Sequence, residues 1–140
     1  MKTKIIFVFA LLSLLTACKK DSPTTGPRKT VYTLIPQNNS WVNGTVSFIE
    51  NAGLGQTEVD LEVSNATLLT YVAHIHQGPP ARYHGAIYIF QPIIASNGKI
   101  SYQQFIPLPY DSAIVYNGTF VLHDSTANNV LALCGIGINK

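Results

Sequence analysis

The four histidines of this 140-residue chain fall in three short segments, and imidazole is the commonest metal ligand among protein side chains. His74 and His76 flank one isoleucine inside an apolar run, His84 follows eight residues later, and His123 lies near the C-terminus. Because a strand turns alternate side chains to opposite faces, His74 and His76 would project from one face, roughly 7 Å apart. An all-nitrogen ligand set suits Cu(II) or Zn(II). The spacing therefore predicts a metal site.

A second interpretation of the same histidines is structural. A single histidine on a half-buried strand commonly serves as a hydrogen-bonded structural residue. Two neutral imidazoles on one face are costly to bury without partners. The pair formed by His74 and His76 thus strengthens the metal interpretation without excluding the structural one.

The first residues have the pattern of an export signal. Lys2 and Lys4 precede an apolar stretch that is too short for a membrane span, which needs about 20 apolar residues. The stretch ends in Leu-Thr-Ala-Cys at Cys18, which resembles the lipobox of bacterial lipoproteins. The resemblance implies a signal peptide over residues 1–17, cleavage before Cys18 and acylation of that cysteine, which gives a membrane anchor. A plain secretory peptide with a chance cysteine is the alternative.

The rest of the chain divides into a linker and one domain. Residues 18–29 are polar and rich in Pro, Ser and Thr, as is typical of a flexible tether, and residues 30–140 have the length of one domain. From Cys18 onward the chain has seven basic and seven acidic residues. This balance gives no indication of nucleic-acid binding, and no nucleic-acid motif is present.

The domain is predicted to be all-β, because short runs rich in β-branched and aromatic residues alternate with turn signals. The alternation of polar and apolar residues is clearest over residues 57–63. There the acidic side chains would face water, and the valine and leucine side chains would face the core. Asn117-Gly118 predicts a two-residue hairpin. Seven to nine strands at this spacing favour an immunoglobulin-like Greek-key sandwich or barrel. The predicted strands cover residues 31–35, 42–49, 57–63, 68–76, 86–90, 99–106, 113–116, 119–122 and 130–138. Predicted inward residues include Val46, Phe48, Val59, Leu61, Val63, Tyr71, Ile87, Ile89, Val121 and Leu133.

Four segments resemble, in order, segments of Cu/Zn superoxide dismutase. They are residues 44–48 (Gly-Thr-Val-Ser-Phe), 73–77 (Ala-His-Ile-His-Gln), 121–124 (Val-Leu-His-Asp) and 131–138 (Leu-Ala-Leu-Cys-Gly-Ile-Gly-Ile). Residues 74–80 followed by Gly85-Ala86-Ile87 are also similar to the chordin-type CHRD domain of the same structural group. The resemblance covers nearly all of residues 31–140. It implies the superoxide dismutase-like fold and a copper site made by His74, His76, His84 and His123.

The chain departs from the dismutase pattern in three respects. No histidine is left to build the family's zinc site, so we expect no zinc subsite. Cys134 matches the late cysteine of the family's disulfide, but with Cys18 lipidated it has no intrachain partner, and we expect a buried free thiol. Leu131 stands near the place of the arginine that attracts superoxide. Arg82, on the loop beside His84, is expected to be solvated, and Asp124 is expected to be a turn residue.

Three functions fit these observations. The first is a copper-dependent enzyme that dismutates superoxide, the second a non-catalytic metal-binding protein of the bacterial envelope, and the third a surface interaction module whose histidines are structural. The anchor is compatible with an outer-membrane location facing either the periplasm or the cell surface. The sequence specifies neither an oligomeric state nor a protein partner.

Overall fold

The computed structural model describes residues 26–140, which fold into nine strands and one helical turn. The predicted signal peptide, Cys18 and most of the predicted tether lie outside the described residues. The elements are β1 (Lys29–Pro36), β2 (Asn43–Asn51), β3 (Gln56–Ser64), β4 (Thr70–Gln77), β5 (Ala86–Ile89), β6 (Ile93–Ile94), β7 (Lys99–Ile106), α1 (Tyr110–Ala113), β8 (Asn117–Asp124) and β9 (Val130–Gly137).

The strands form one antiparallel sheet that curls into a nearly closed barrel. Its order is β5-β4-β8-β9-β1-β2-β3-β7, and β6 also pairs with β4. The neighbours β4 and β8, β9 and β1, and β3 and β7 are distant in sequence, as in Greek-key connections. Side chains close the remaining seam between β5 and β7, where the Tyr88 hydroxyl donates to the carbonyl oxygen of Phe105 at 3.0 Å. The predicted all-β barrel or sandwich is confirmed.

Strand alternation fills the barrel interior. In β3, Val59, Leu61 and Val63 are buried between the more exposed acids Glu58 and Glu62, as their alternation predicts. Strands β2 and β4 contribute the large aromatic residues Phe48 and Tyr71 to the same core. Of the predicted inward residues, those that are buried in the core are Val46, Phe48, Val59, Leu61, Val63 and Tyr71.

Four predicted inward residues lie outside the core. Val121 is buried, but it lies opposite His74 on the outer face of the sheet. Ile87 and Ile89 are 52% and 65% exposed. They flank Tyr88, which packs against the core from β5, a strand at one end of the sheet order. Ile89 lies opposite His74 on the outer face, and Ile87 is the extra residue where the pairing of β5 with β4 shifts. Leu133 is only partly buried because its neighbours in β9, Ala132 and Cys134, are the residues that face the core. When one face of a strand is exposed to solvent, an apolar residue of that strand can lie on the exposed face.

The strand predicted over residues 113–116 and the hairpin predicted at Asn117-Gly118 are wrong. Ala113 ends α1, which begins after Pro109, and Asn117 and Gly118 begin β8, paired with β9. Gly118 is needed there because a Cβ at that position would lie 2.6 Å from the ring of Tyr116. The glycine thus permits close packing within a strand and does not form a turn.

The beginning of the domain is fixed by ion pairs. β1 begins at Lys29, the last residue of the predicted tether. Just before it, the guanidinium of Arg28 donates to Glu50 at 2.6 Å and to Asp111 at 2.7 Å, which joins the chain entry to β2 and α1. The ring of Tyr110 lies 4.9 Å from the same guanidinium.

Candidate metal centre

Two neighbouring strands place three histidines on the outer face of the sheet. In β4, Tyr71, Ala73 and Ile75 face the core, so His74 and His76 share the outer face. That the two histidines share a face is what the sequence predicts. β8 pairs with β4 so that Val121 lies opposite His74. His123, two residues further along β8, therefore lies diagonally across from His74 on the same face, within reach of a long side chain.

β-Bulges lie beside two of the three histidines. The pairing of β4 with β5 shifts between Ile75 and His76, and that of β8 with β9 shifts between Leu122 and His123. A bulge adds a residue to one strand, bends it locally and changes the direction of a side chain. In both places the extra residue lies on the partner strand, Ile87 on β5 and Leu131 on β9, so the strands that carry His76 and His123 keep their own alternation.

The three imidazoles do converge. One nitrogen each from His74, His76 and His123 lies within 4.8 Å of the others. Ring centroids are 5.0 Å apart for His74 and His123, 5.6 Å for His74 and His76, and 6.3 Å for His76 and His123. Nitrogens bound to one ion at about 2.1 Å can stand up to about 4.2 Å apart. Small side-chain rotations would therefore let all three reach a single ion.

Three buried nitrogens of this cluster lack protein partners. In residues 26–140, four buried side-chain nitrogen or oxygen atoms have no hydrogen-bond partner, and three of them are His76 Nε2, His123 Nδ1 and His123 Nε2. Buried polar groups in native proteins are nearly always hydrogen-bonded, and an unpaired one costs about 1–3 kcal/mol. Structural histidines would have partners for these atoms. The orphaned nitrogens fit a ligand set for a metal ion.

The structure does not bring the imidazole of His84 into the cluster. His84 is exposed on the loop between β4 and β5, and its backbone carbonyl oxygen lies 2.7 Å from Nδ1 of His76. The loop is held at its base, since the amide of His84 donates to the carbonyl oxygen of Gln77 at 2.8 Å. At the other side of the loop, Thr119 donates its hydroxyl to the carbonyl oxygen of Gly78 at 2.7 Å. The geometry supports three of the four predicted ligands.

Burial keeps the cluster in the form that binds metals. Burial, and after it the neighbouring His74 and His76, lower the pKa of His123 to about 4. Burial also lowers the pKa of His74. An imidazole must be neutral to coordinate an ion. At neutral pH a metal would therefore not have to displace a proton from His123.

Asp124 follows His123 at the end of β8, and Arg82 lies on the loop between β4 and β5. The carboxylate of Asp124 accepts hydrogen bonds from the Asn129 side chain and from the backbone and hydroxyl of Thr126. These bonds lower its pKa to about 2 and confirm the predicted turn role. Arg82 is exposed, and its guanidinium makes no ion pair within residues 26–140.

Apolar and aromatic side chains surround the cluster. Ile89 on β5 and Val121 on β8 lie opposite His74 on its two sides, and Val72 lies opposite His123. The ring of Tyr83 lies 4.8 Å from that of His76. Neither Tyr83 nor the carbonyl of His84 was indicated by the sequence, because a loop residue has no periodic pattern and a backbone carbonyl has no sequence signal.

The fold and the site together define an all-β barrel with a three-histidine cluster on its outer face. No protein-family model matches the chain, and no curated protein matches it either. Within residues 26–140 no helix has the length and apolar character needed to cross a membrane. The only helical element described there is the single turn α1.

Proposed function

We propose that this chain binds one copper ion through His74, His76 and His123. The observation that carries the proposal is the convergence of three imidazoles, two of which, His76 and His123, have buried ring nitrogens without a protein partner. A bound ion would satisfy Nε2 of His76 and one of the two nitrogens of His123, and each such group left unpaired would cost about 1–3 kcal/mol. A site retained at such a cost is more readily explained by a ligand than by a structural role.

The chemistry of the donors favours copper. The cluster consists of histidines alone. A given set of nitrogen ligands binds Cu(II) more tightly than Zn(II), according to the general order of affinity among divalent first-row metals. The resemblance to the copper strand of Cu/Zn superoxide dismutase agrees with this choice. His76 is oriented by the carbonyl of His84, the kind of outer contact that fixes a ligand imidazole. When bound, copper would supply a one-electron redox couple.

Superoxide dismutation is the second candidate function, and the three-ligand count favours it. Three protein ligands leave a coordination position open for a small molecule. Against it, residues 26–140 contain five basic and six acidic residues, a net charge of −1 that does not attract an anion. Leu131, near the place of the family's guiding arginine, adds no charge. Copper binding without rapid dismutation is therefore the first choice.

The proposed location is the bacterial envelope, with the domain anchored through an acylated Cys18. The lipobox-like Leu-Thr-Ala-Cys motif supports this location. Replacing Cys18 with Ser is expected to release the protein from membranes or to stop its processing. Mass spectrometry of the N-terminal peptide provides the check, and an unmodified Cys18 in the mature wild type would contradict the anchor.

Copper titration of the metal-free full chain, followed by electron paramagnetic resonance, tests the copper proposal. We expect one equivalent of Cu(II) with nitrogen hyperfine structure, and loss of that signal in the His74→Ala/His76→Ala double variant. Ile94→Ala, an exposed change on β6, serves as the matched control. Absence of a nitrogen-coordinated signal, or its survival in the double variant, would refute the site and favour an interaction module.

Two further measurements separate the remaining possibilities. Competition with Zn(II) shows whether copper is preferred, and tighter zinc binding would overturn the choice of metal. Superoxide consumption by the copper-loaded protein is compared with that by free aqueous copper. Consumption no faster than by free copper would leave a binding protein, and consumption that is much faster would establish the enzyme.

A further inference from the structure

A cavity opens into the barrel at the seam between β5 and β7. These two strands are the ends of the sheet order, so no backbone ladder joins them. The cavity has a volume of about 180 Å³. Phe48, Ile75 and Ile136 of the core form its floor, while Leu108 and Ala113 lie on its wall. We call it the seam cavity.

Its size sets it apart from ordinary packing defects. Protein interiors contain few voids larger than a water molecule. An enclosed apolar cavity of about 150 Å³ is large enough to hold benzene. The seam cavity is of similar volume but opens to solvent at one side. The seam cavity therefore has room for about six carbon atoms.

Two polar groups beside the seam cavity have partners within the protein. The Tyr88 hydroxyl donates to the carbonyl oxygen of Phe105 at 3.0 Å and accepts from the side-chain amide of Gln104 at 2.7 Å. The carbonyl oxygen of Leu108 accepts from the Thr57 hydroxyl at 2.7 Å. A ligand would therefore contact mainly apolar side chains, and the seam cavity offers few hydrogen-bond partners to a polar molecule.

We propose that the seam cavity binds the hydrocarbon chain of a small aliphatic molecule of about six carbons. The cavity is open at one side, where Ile87 is 52% exposed, so a polar head group would remain in water. The chain would lie against Ile75 and Ile136 and would supply the van der Waals contacts that these side chains lack when the cavity is empty. This site is separate from the histidine cluster, because the seam cavity lies on the core side of β4 and the histidines on its outer face.

Nuclear magnetic resonance of isoleucine methyl groups in the metal-free full chain tests the proposal. The probes are 1-alkanols from butanol to octanol, with 1,6-hexanediol as the polar control. We expect saturable shifts at Ile75, Ile106 and Ile136, all of which line the cavity. Affinity is expected to rise roughly fourfold for each added methylene until the chain outgrows the cavity. No saturable shift with 1-hexanol, or an equal response to the diol, would overturn the proposal.

Two cavity-filling variants locate the binding. Ala113→Leu and Leu108→Phe add side-chain volume at the wall, and Leu108, being only partly buried, can take a larger ring without unfolding the barrel. Each variant is expected to lose the response to 1-hexanol. Ile94→Phe, an exposed change outside the cavity, is expected to keep it. Binding that persists in a folded Leu108→Phe variant would overturn the assignment.

The hydrocarbon chain could belong to a free molecule or to a lipid, and a second probe distinguishes these sources. Dihexanoylphosphatidylcholine carries six-carbon chains on a phospholipid head group. Competition between this lipid and 1-hexanol for the same methyl shifts would assign the cavity to lipid chains as well as free molecules. Binding of 1-hexanol without such competition would restrict the site to free aliphatic molecules.

Discussion

A hydrogen bond joins the imidazole ring of His76 to the backbone of His84. Nδ1 of His76 lies 2.7 Å from the carbonyl oxygen of His84. A carbonyl oxygen can only accept, so Nδ1 must carry the proton and Nε2 must present its lone pair. Nε2 is buried and without a protein partner. The loop between β4 and β5 therefore selects the tautomer of His76 that can bind a metal, and it does so without using the imidazole of His84.

Replacing His84 with Ala should change copper affinity by less than about tenfold, because the backbone carbonyl that orients His76 remains. His76→Ala should abolish binding, because it removes a nitrogen of the cluster. Isothermal titration with Cu(II) under a competing chelator measures both. A loss in His84→Ala as large as in His76→Ala would restore His84 as the fourth ligand that the family resemblance implies.

Replacing His123 with Leu should stabilise the metal-free protein. Neutral His123 carries one N–H and one lone pair, and both ring nitrogens are buried without partners. Leucine removes these atoms at similar volume, so the free energy of unfolding should rise by about 1–2 kcal/mol. Denaturant unfolding of the metal-free full chain provides the measurement.

Exposed His84 supplies the control for that experiment. His84→Leu should change stability by no more than about 0.5 kcal/mol. Copper should then stabilise the wild type and not His123→Leu, because only a protein that binds the ion gains stability from it. A metal-free His123→Leu that is less stable than the wild type would mean that the ring nitrogens have partners in solution.

Much of the fold could be predicted from local patterns. The alternation over residues 57–63 places Val59, Leu61 and Val63 in the core, and it predicts correctly because one face of β3 is wet and the other buried. The same rule is wrong for Ile87 and Ile89, whose exposure follows from the position of β5 at an end of the sheet. Strand order is a tertiary property that no short window contains.

The candidate site was predictable to the extent that it rests on strand periodicity. His74 and His76 share a face because they are two residues apart in a strand. That His123 joins them depends on the pairing of β4 with β8, which the family resemblance implied and the residues alone did not. The position of His84 depends on a loop held by two hydrogen bonds, from the His84 amide to the Gln77 carbonyl and from the Thr119 hydroxyl to the Gly78 carbonyl. Such a loop has no periodicity from which side-chain direction could be read.

Cys134 should resist alkylation in the folded protein. The thiol is 3% exposed, and burial raises its pKa to about 12. At pH 8 only about one thiol in 10⁴ would be ionised, and the thiolate is the reactive form. Because the folded pKa lies above the unfolded value of about 8.5, the thiol contributes stability that is lost as pH rises from about 8.5 toward 12.

Peptide mapping after iodoacetamide treatment at pH 8 measures the reactivity of Cys134 separately from Cys18. Labelling of Cys134 should be slow in buffer and at least about a hundredfold faster in denaturant. Rapid labelling in native buffer would mean that β9 opens locally more often than its buried position suggests.

Gly44 should be the glycine of β2 that tolerates no side chain. It pairs with Leu34 on β1 and with Val63 on β3, and a Cβ at this position would overlap the carbonyl oxygen of Glu62. The ladder cannot move aside without breaking its own hydrogen bonds, so Gly44→Ala should lower the free energy of unfolding by about 3 kcal/mol.

Gly53→Ala is the matched control. Its Cβ would meet only the Asn51 side-chain oxygen, at 3.7 Å, and it should change stability by less than about 1 kcal/mol. Thermal and denaturant unfolding of the two variants give the comparison, and equal stabilities would show that β2 and β3 do not pair in this register.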